Sequence, residues 1–213
     1  DLRPLKFSLV ANIEDTLPLV ARVPAVYNAI VGSGLGRQAM RAVGLTALPR
    51  LAPISLQRLA KDMNIAIADP EHITAMPLEE RNRVVVFVPD AFTGHFEPTV
   101  GVAAVEVARL LGLIPLLAPA FANGKALHVH GYTDRFERTA TRTAGLLSSI
   151  ASTGVPLVGL DPSMTLTFRS EYAAIARETS LSVLLPQEWL VAVLSRKTFT
   201  TVQPTKERFK LIP

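Results

Sequence analysis

Val84-Val85-Val86-Phe87-Val88 is an unbroken apolar run rich in β-branched residues, and Pro89-Asp90 ends it. A strand with one face in water alternates apolar and polar residues, whereas a run that is apolar throughout must be covered on both faces. Working outward, a helix is predicted over 98–111. Val100, Ala104, Val107, Ala108 and Leu111 form its apolar stripe, Pro98 sits in its first turn and Gly112 closes it. Leu113-Ile114-Pro115-Leu116-Leu117 reads as a second strand, with Pro115 placing it at an edge or an irregularity. Asp134 and Glu137 have capping-box spacing and open a helix to about residue 152, burying Phe136, Ala140, Ala144, Leu147 and Ala151, with Gly154 at its end. Val155-Pro156-Leu157-Val158-Gly159-Leu160 is a third strand, closed by Asp161-Pro162. A helix over 170–178, a short strand Val183-Leu184-Leu185 and a helix over 187–194 complete the pattern. Such alternation gives an α/β fold, a Rossmann-like parallel sheet flanked by helices. The loops after the strands, 89–97, 118–134 and 161–169, then line one sheet edge, where ligands bind in folds of this kind.

Residues 1–80 read differently. Leu17, Val20, Ala21, Pro24, Tyr27 and Val31 fall near helical spacing, and a second short helix over 36–43 stops at Gly44, a left-handed C-cap position. Pro49, Pro53, Pro70 and Pro77 punctuate a long connection. The reading is an N-terminal helical extension over 1–80, which packs against something, followed by an α/β domain over 81–213.

Composition removes several function classes. The 213 residues are 49% hydrophobic, enough for a sizeable core, and contain no cysteine. Disulfides, thiolate zinc sites, cysteine nucleophiles and cysteine-ligated clusters are therefore excluded from this segment. The net charge of +4 is spread without a basic run, which argues against nucleic-acid binding. No apolar stretch reaches the roughly 18 residues of a transmembrane helix. Together with the lack of thiols and of a signal-peptide pattern, this gives a cytoplasmic expectation. Asp1-Leu2-Arg3-Pro4 lacks an initiator Met, and residues 207–213 alternate like a strand just beginning, so both ends read as cuts through a longer chain.

Three constellations were weighed for chemistry. Gly32-Ser33-Gly34-Leu35-Gly36 follows no buried strand, so it reads as a helix–helix turn and not a phosphate cradle. His128-Val129-His130 places two imidazoles on one side of an extended segment; a metal would need a third ligand such as His95 or Asp161. Asp90, His95, Asp161 and Ser163 supply the residue types of a hydrolytic triad, but no G-x-S-x-G elbow projects a serine. Lys125, beside Gly124, reads as an exposed loop lysine able to meet an anion.

Val86-Phe87-Val88-Pro89-Asp90-Ala91-Phe92-Thr93, Gly112-Leu113-Ile114-Pro115, Asn123-Gly124-Lys125-Ala126-Leu127-His128-Val129-His130-Gly131 and Gly159-Leu160-Asp161-Pro162-Ser163 follow in order. In this order they resemble the C-terminal region of large bacterial FAD-linked oxidoreductases of the D-2-hydroxyglutarate and D-lactate dehydrogenase type. The resemblance covers about 83–194, and 1–60 is similar, less specifically, to the connector after a ferredoxin-like domain in these proteins. It implies a long chain with an FAD domain, a substrate domain, a ferredoxin-like iron–sulfur module and a C-terminal region of the cysteine-rich CCG type. Hydride would pass from substrate C2 to the flavin, and the clusters would carry electrons onward.

CCG modules carry cysteines in the loop after the second strand and near an Asp-Pro-Ser-Cys segment. This chain has residues 118–131 and Asp161-Pro162-Ser163-Met164 there, without a thiol. The resemblance therefore implies a degenerate CCG half that kept the fold and lost the metal. FAD and iron–sulfur clusters are expected only in the parent, and no catalytic or FAD-binding residue carries over. The partners it implies are other modules of the same polypeptide, the ferredoxin-like module and a second, cysteine-bearing CCG half. His95, Lys125, His128, His130, Asp161 and Ser163 mark the candidate loop-edge surface. The expected function is a structural, electron-transfer-supporting domain of a D-2-hydroxy-acid dehydrogenase. A free-standing α/β small-molecule-binding protein and a metal-dependent hydrolase built on His128 and His130 are the alternatives.

Overall fold

A computed structural model describes residues 10–45, 48–175 and 181–195. Four parallel strands, β1 (Val84–Val88), β2 (Ile114–Leu117), β3 (Leu157–Gly159) and β4 (Val183–Leu184), form one sheet in the order β2-β1-β3-β4. All five residues of β1 are buried, as the unbroken apolar run predicts. Strand alternation divides them between two cores. Val84, Val86 and Val88 face one, with Leu116, Leu157 and Val183. Val85 and Phe87 face the other, with Leu117 and Val158.

Helices close both faces. On the first lie α10 (Thr133–Ala151), through Phe136, Ala140, Ala144, Leu147 and Ile150, then α11 (Pro162–Arg169) and α12 (Glu171–Ile175), through Met164, Phe168 and Tyr172. On the second lie α4 (Leu56–Asp62), α8 (Pro98–Leu110) and α13 (Pro186–Leu194). Trp189 of α13 meets the Phe87 ring edge-on, with centroids 5.4 Å apart. The remaining helices are α1 (Ile13–Val20), α2 (Pro24–Gly32), α3 (Gly34–Ala42), α5 (Pro70–Ala75), α6 (Leu78–Arg81), α7 (Ala91–His95) and α9 (Lys125–Val129).

Several expectations need correction. The proline-punctuated connection holds three short helices, α4, α5 and α6, because Pro70 occupies the first turn of α5 and Pro77 precedes α6, where proline is tolerated. Ile65 joins the second core and Ile73 the first, so these residues build the same cores as the sheet. The buried stripe of α8 is Pro98, Gly101, Val105 and Ala108, while Val100 and Val107 are exposed. The helix is rotated because Gly101, without a side chain, admits Leu56; a Cβ there would lie 2.5 Å from Leu56 Cδ2. α10 starts at Thr133 with Tyr132 as N-cap, so the Asp134–Glu137 capping box does not form. The helix predicted over 170–178 is present as α12, while the loop predicted over 161–169 holds α11, beginning at Pro162 with Asp161 as N-cap; residues 176–178 lie outside the described set, as does the strand-like end over 207–213.

Other features follow the sequence. Gly44, Gly112 and Gly154 close their helices with φ of 78°, 69° and 83°. Pro115 lies on an edge strand. Ile114 N–H donates to Arg83 on the β1 side and Leu117 N–H to Ala66 on the outer side. Pro115, two residues before Leu117, therefore turns its missing donor outward, where the ladder does not need it.

Two predictions follow from the packing. A Cβ on Gly159 would lie 2.0 Å from Thr165 Oγ1, and Thr165 is wholly buried. Gly159→Ala is expected to cost about 1–3 kcal/mol in denaturant unfolding, as overpacking does. Second, Arg169 pairs with Glu188 and donates from Nε to Val183 O at 2.7 Å, while Glu188 also accepts Leu185 N–H at 2.8 Å. The Arg169 guanidinium brings the Glu188 carboxyl from its ordinary 4.5 to about 2. A depressed carboxylate stabilises the fold above its ordinary range and loses that contribution as pH falls toward about 2. Glu188→Gln should lower the neutral-pH melting temperature slightly and flatten its fall between pH 4.5 and 2.

Candidate functional site

The strand order reverses between β1 and β3, and such a reversal opens a crevice at the strands' C-terminal ends. Asp90 follows β1 and Asp161 follows β3. Both carboxylates serve the backbone of the next helix. Asp90 accepts Thr93 N–H at 2.8 Å, Phe92 N–H at 3.1 Å and the Thr93 hydroxyl at 2.6 Å. Asp161 accepts Met164 N–H at 2.5 Å. Each satisfies donors that a helix start leaves orphaned.

Helix α1 packs against the loops that follow β1 and β2. Glu14 Oε2 accepts Gly124 N–H at 2.8 Å, across 110 residues. Leu17 is buried. Arg135 Nη2 ties α1 from outside, donating to Asn12 Oδ1 at 2.7 Å and reaching Asp15 Oδ2 at 3.4 Å. Two clefts of about 330 Å³ remain on either side of α1. One is bordered by Asp90, Phe92, Lys125 and Val129, the other by Gln57, Pro89, His95 and Phe121. Burial pushes the Glu14 carboxyl above its ordinary value, the Gly124 and Asn123 amides pull it back, and Asp15 and Asp90 push it further up.

The sequence-predicted residues fall into separate roles. Lys125 Nζ donates to Ser163 Oγ, joining the loop after β2 to the start of α11. Asp161 caps the same helix, so Lys125, Asp161 and Ser163 do come together. His128 lies 4.0 Å from Glu171 Oε1 and packs on the Phe136 ring, with centroids 4.5 Å apart. The segment 128–130 is not extended: His128 lies in the last turn of α9 and His130 is its C-cap. Two residues apart on a helix differ by roughly 200°, so the imidazoles do not share a side. His95 ends α7, where burial lowers its pKa and leaves Nδ1 without a hydrogen-bond partner. No hydrogen bond links it to Asp90, Asp161 or Ser163, so no triad forms. Among the described residues no three His, Asp or Glu side chains stand together as metal ligands.

The sequence reading missed Glu14, Asn123 and Tyr172. Asn123 is buried; its Oδ1 accepts Lys125 N–H at 3.0 Å and its carbonyl accepts the Tyr172 hydroxyl at 2.6 Å. Tyr172 is wholly buried, and burial pushes its phenol pKa up. These groups fix the turn that presents Gly124 to Glu14. An Asn-Gly pair after a strand is a local turn signal; the partners from α1 and α12 have none.

A D-2-hydroxyglutarate dehydrogenase of Pseudomonas putida is 40% identical over 194 residues, which is 90% of this chain and 19% of that protein. The chain is related to a stretch of the D-2-hydroxyglutarate dehydrogenases. The Escherichia coli dehydrogenase of the same name is 36% identical over 94% of the chain and 20% of its own length, and that of Haemophilus influenzae 32% over 89% and 19%. The chain thus spans about a fifth of the curated relatives it matches. No family model and no solved structure matches it.

The residues present do not fit the cofactors that the resemblance implies for the parent. A cluster needs thiolates, and the chain has no cysteine. A dinucleotide loop needs glycines between a buried strand and a helix, but the β1–α7 turn is Pro89-Asp90-Ala91, and Gly32–Gly36 joins two helices, Ser33 Oγ capping α3 by accepting Gly36 N–H at 2.9 Å. Among the described residues no helix is long and apolar enough to cross a membrane.

Glu14→Gln keeps an acceptor for Gly124 N–H and removes the charge. A raised carboxyl pKa gives stability that is present in acid and lost as pH rises through the raised value. Glu14→Gln should therefore raise the melting temperature near pH 8 and flatten its decline above pH 4.5. Glu14→Ala should instead lower it, by about 1–3 kcal/mol of unfolding free energy, because the Gly124 donor is left unsatisfied.

Proposed function

We propose that this chain is a non-catalytic supporting module of a D-2-hydroxyglutarate dehydrogenase, acting within a longer, cytoplasmic, FAD- and iron–sulfur-containing polypeptide. The observation that carries the reading is the match of nine tenths of the chain to one fifth of enzymes of that name. The geometry agrees with it. At the sheet edge where a ligand would bind, Asp90 and Asp161 cap helices, and α1 with Glu14 covers the loops after β1 and β2. Clusters then belong to the remainder of the polypeptide, since this chain has no cysteine, and the FAD is assigned there with them. The degenerate CCG-like character inferred from the loop sequences fits a unit that kept a sheet and replaced its thiol-bearing loops with backbone caps. The candidate surface formed by His95, Lys125, His128, His130, Asp161 and Ser163 serves to hold these loops and to meet neighbouring modules.

The test is oxidation of D-2-hydroxyglutarate, followed with an artificial electron acceptor. The full gene product is expected to turn over. Residues 1–213 alone should show none, and the full product lacking them should lose at least tenfold through misassembly. Turnover by residues 1–213 alone, or a full product indifferent to their removal, contradicts the proposal.

A further inference from the structure

Helix α2 has the sequence Pro24-Ala25-Val26-Tyr27-Asn28-Ala29-Ile30-Val31-Gly32, with no charged residue, and none of its residues is buried. A helix without a charged face is ordinarily an interior one. One side of α2 is pinned. Asn28 Nδ2 donates to Leu51 O at 2.8 Å while its Oδ1 accepts Leu51 N–H at 2.8 Å, and the Tyr27 hydroxyl donates to Pro49 O at 3.1 Å. The other side carries Val23, Val26 and Ile30, at helical spacing and 52%, 56% and 58% exposed. Leu19 at the end of α1 and Leu35 at the start of α3 are also exposed, at 60% and 78%. Among the described residues nothing covers it.

The charge around this face has one sign. Between positions 16 and 61 the sequence contains Arg22, Arg37, Arg41, Arg50, Arg58 and Lys61 and no Asp or Glu. Arg22, Arg37, Arg41 and Arg50 are all exposed. An apolar centre with a basic rim is complemented by an apolar surface with carboxylates at its margin. Some four fifths of the length of the related dehydrogenases lies outside the stretch matched here, so the longer polypeptide supplies ample surface of its own. A bilayer fits less well: membrane-surface helices present Trp, Phe or Leu to the acyl region, and α2 itself contains none of the three.

We infer that the Val23–Val26–Ile30 face of α2 is the surface on which another module of the same polypeptide docks, through an apolar patch bordered by Asp and Glu. This rests on the reading that the chain acts within a longer dehydrogenase, and it names the surface by which it is joined.

The test places a photo-crosslinking benzophenone amino acid at Val26, and separately at Ile30, in the full gene product, with the exposed Glu106 of α8 as control position. Crosslinked peptides are mapped by mass spectrometry. The expected result is intramolecular crosslinks from positions 26 and 30, but not 106, to apolar segments that contain Asp or Glu and lie outside residues 1–213. The charge reversals Arg37→Glu and Arg41→Glu should together lower their yield at least fivefold. Crosslinks to a second copy, to residues 1–9 or 196–213 of this chain, to lipid when phosphatidylcholine–phosphatidylglycerol vesicles are present, or reaction with solvent alone would overturn the inference. Oxidation of D-2-hydroxyglutarate by the unsubstituted protein is measured alongside. An active enzyme with the wrong crosslinks sinks the docking surface only. An inactive one with the expected crosslinks sinks the dehydrogenase reading only.

Discussion

The complete burial of β1 is the constraint from which the architecture follows. Val84, Val86 and Val88 point to one face and Val85 and Phe87 to the other, so neither face can be left to water. Each such side chain contributes about 1.5–3 kcal/mol when fully removed from solvent. A strand of this kind needs neighbours on both edges and helices on both faces. β2 and β3 supply the first; α4, α8 and α13 on one side, and α10, α11 and α12 on the other, supply the second. Because the strands run parallel, their C-terminal ends and the loops that follow gather at one edge.

That edge is where an enzyme with this sheet would place its chemistry, and here its polar groups are directed inward. Asp90 and Asp161 sit where catalytic carboxylates often stand, yet their oxygens hold the first amides of α7 and α11. Gly124 N–H points to Glu14 of α1. Tyr172 and Asn123 lock the turn between them. This network commits its polar atoms to architecture, which is the ground for proposing a supporting role.

What the sequence made legible was local or periodic. β1 announced itself by composition, Pro115 by its missing donor, and Gly44, Gly112 and Gly154 by the left-handed conformations that end helices. The start of α11 was legible in principle, since Asp161-Pro162 is an N-cap followed by a first-turn proline, but the Thr-rich segment after it is a poor helix former and concealed the helix. The face of α8 was misjudged because the deciding residue, Gly101, buries by absence, its place taken by Leu56 from another helix. The role of the Glu14 carboxylate could not be read at all: its partner lies 110 residues away, and a Glu in the first turn of an amphipathic helix looks like a solvated one. The histidine pair misled for the opposite reason, an evocative spacing that a short helix dissolves.

The measurement closest to the central claim is the visible spectrum, with iron and flavin content, of the full gene product beside residues 1–213 alone. The account predicts a full product much longer than 213 residues with flavin and iron–sulfur absorption, and a colourless segment without stoichiometric metal. A segment that retains flavin, iron or another metal in stoichiometric amount would contradict it.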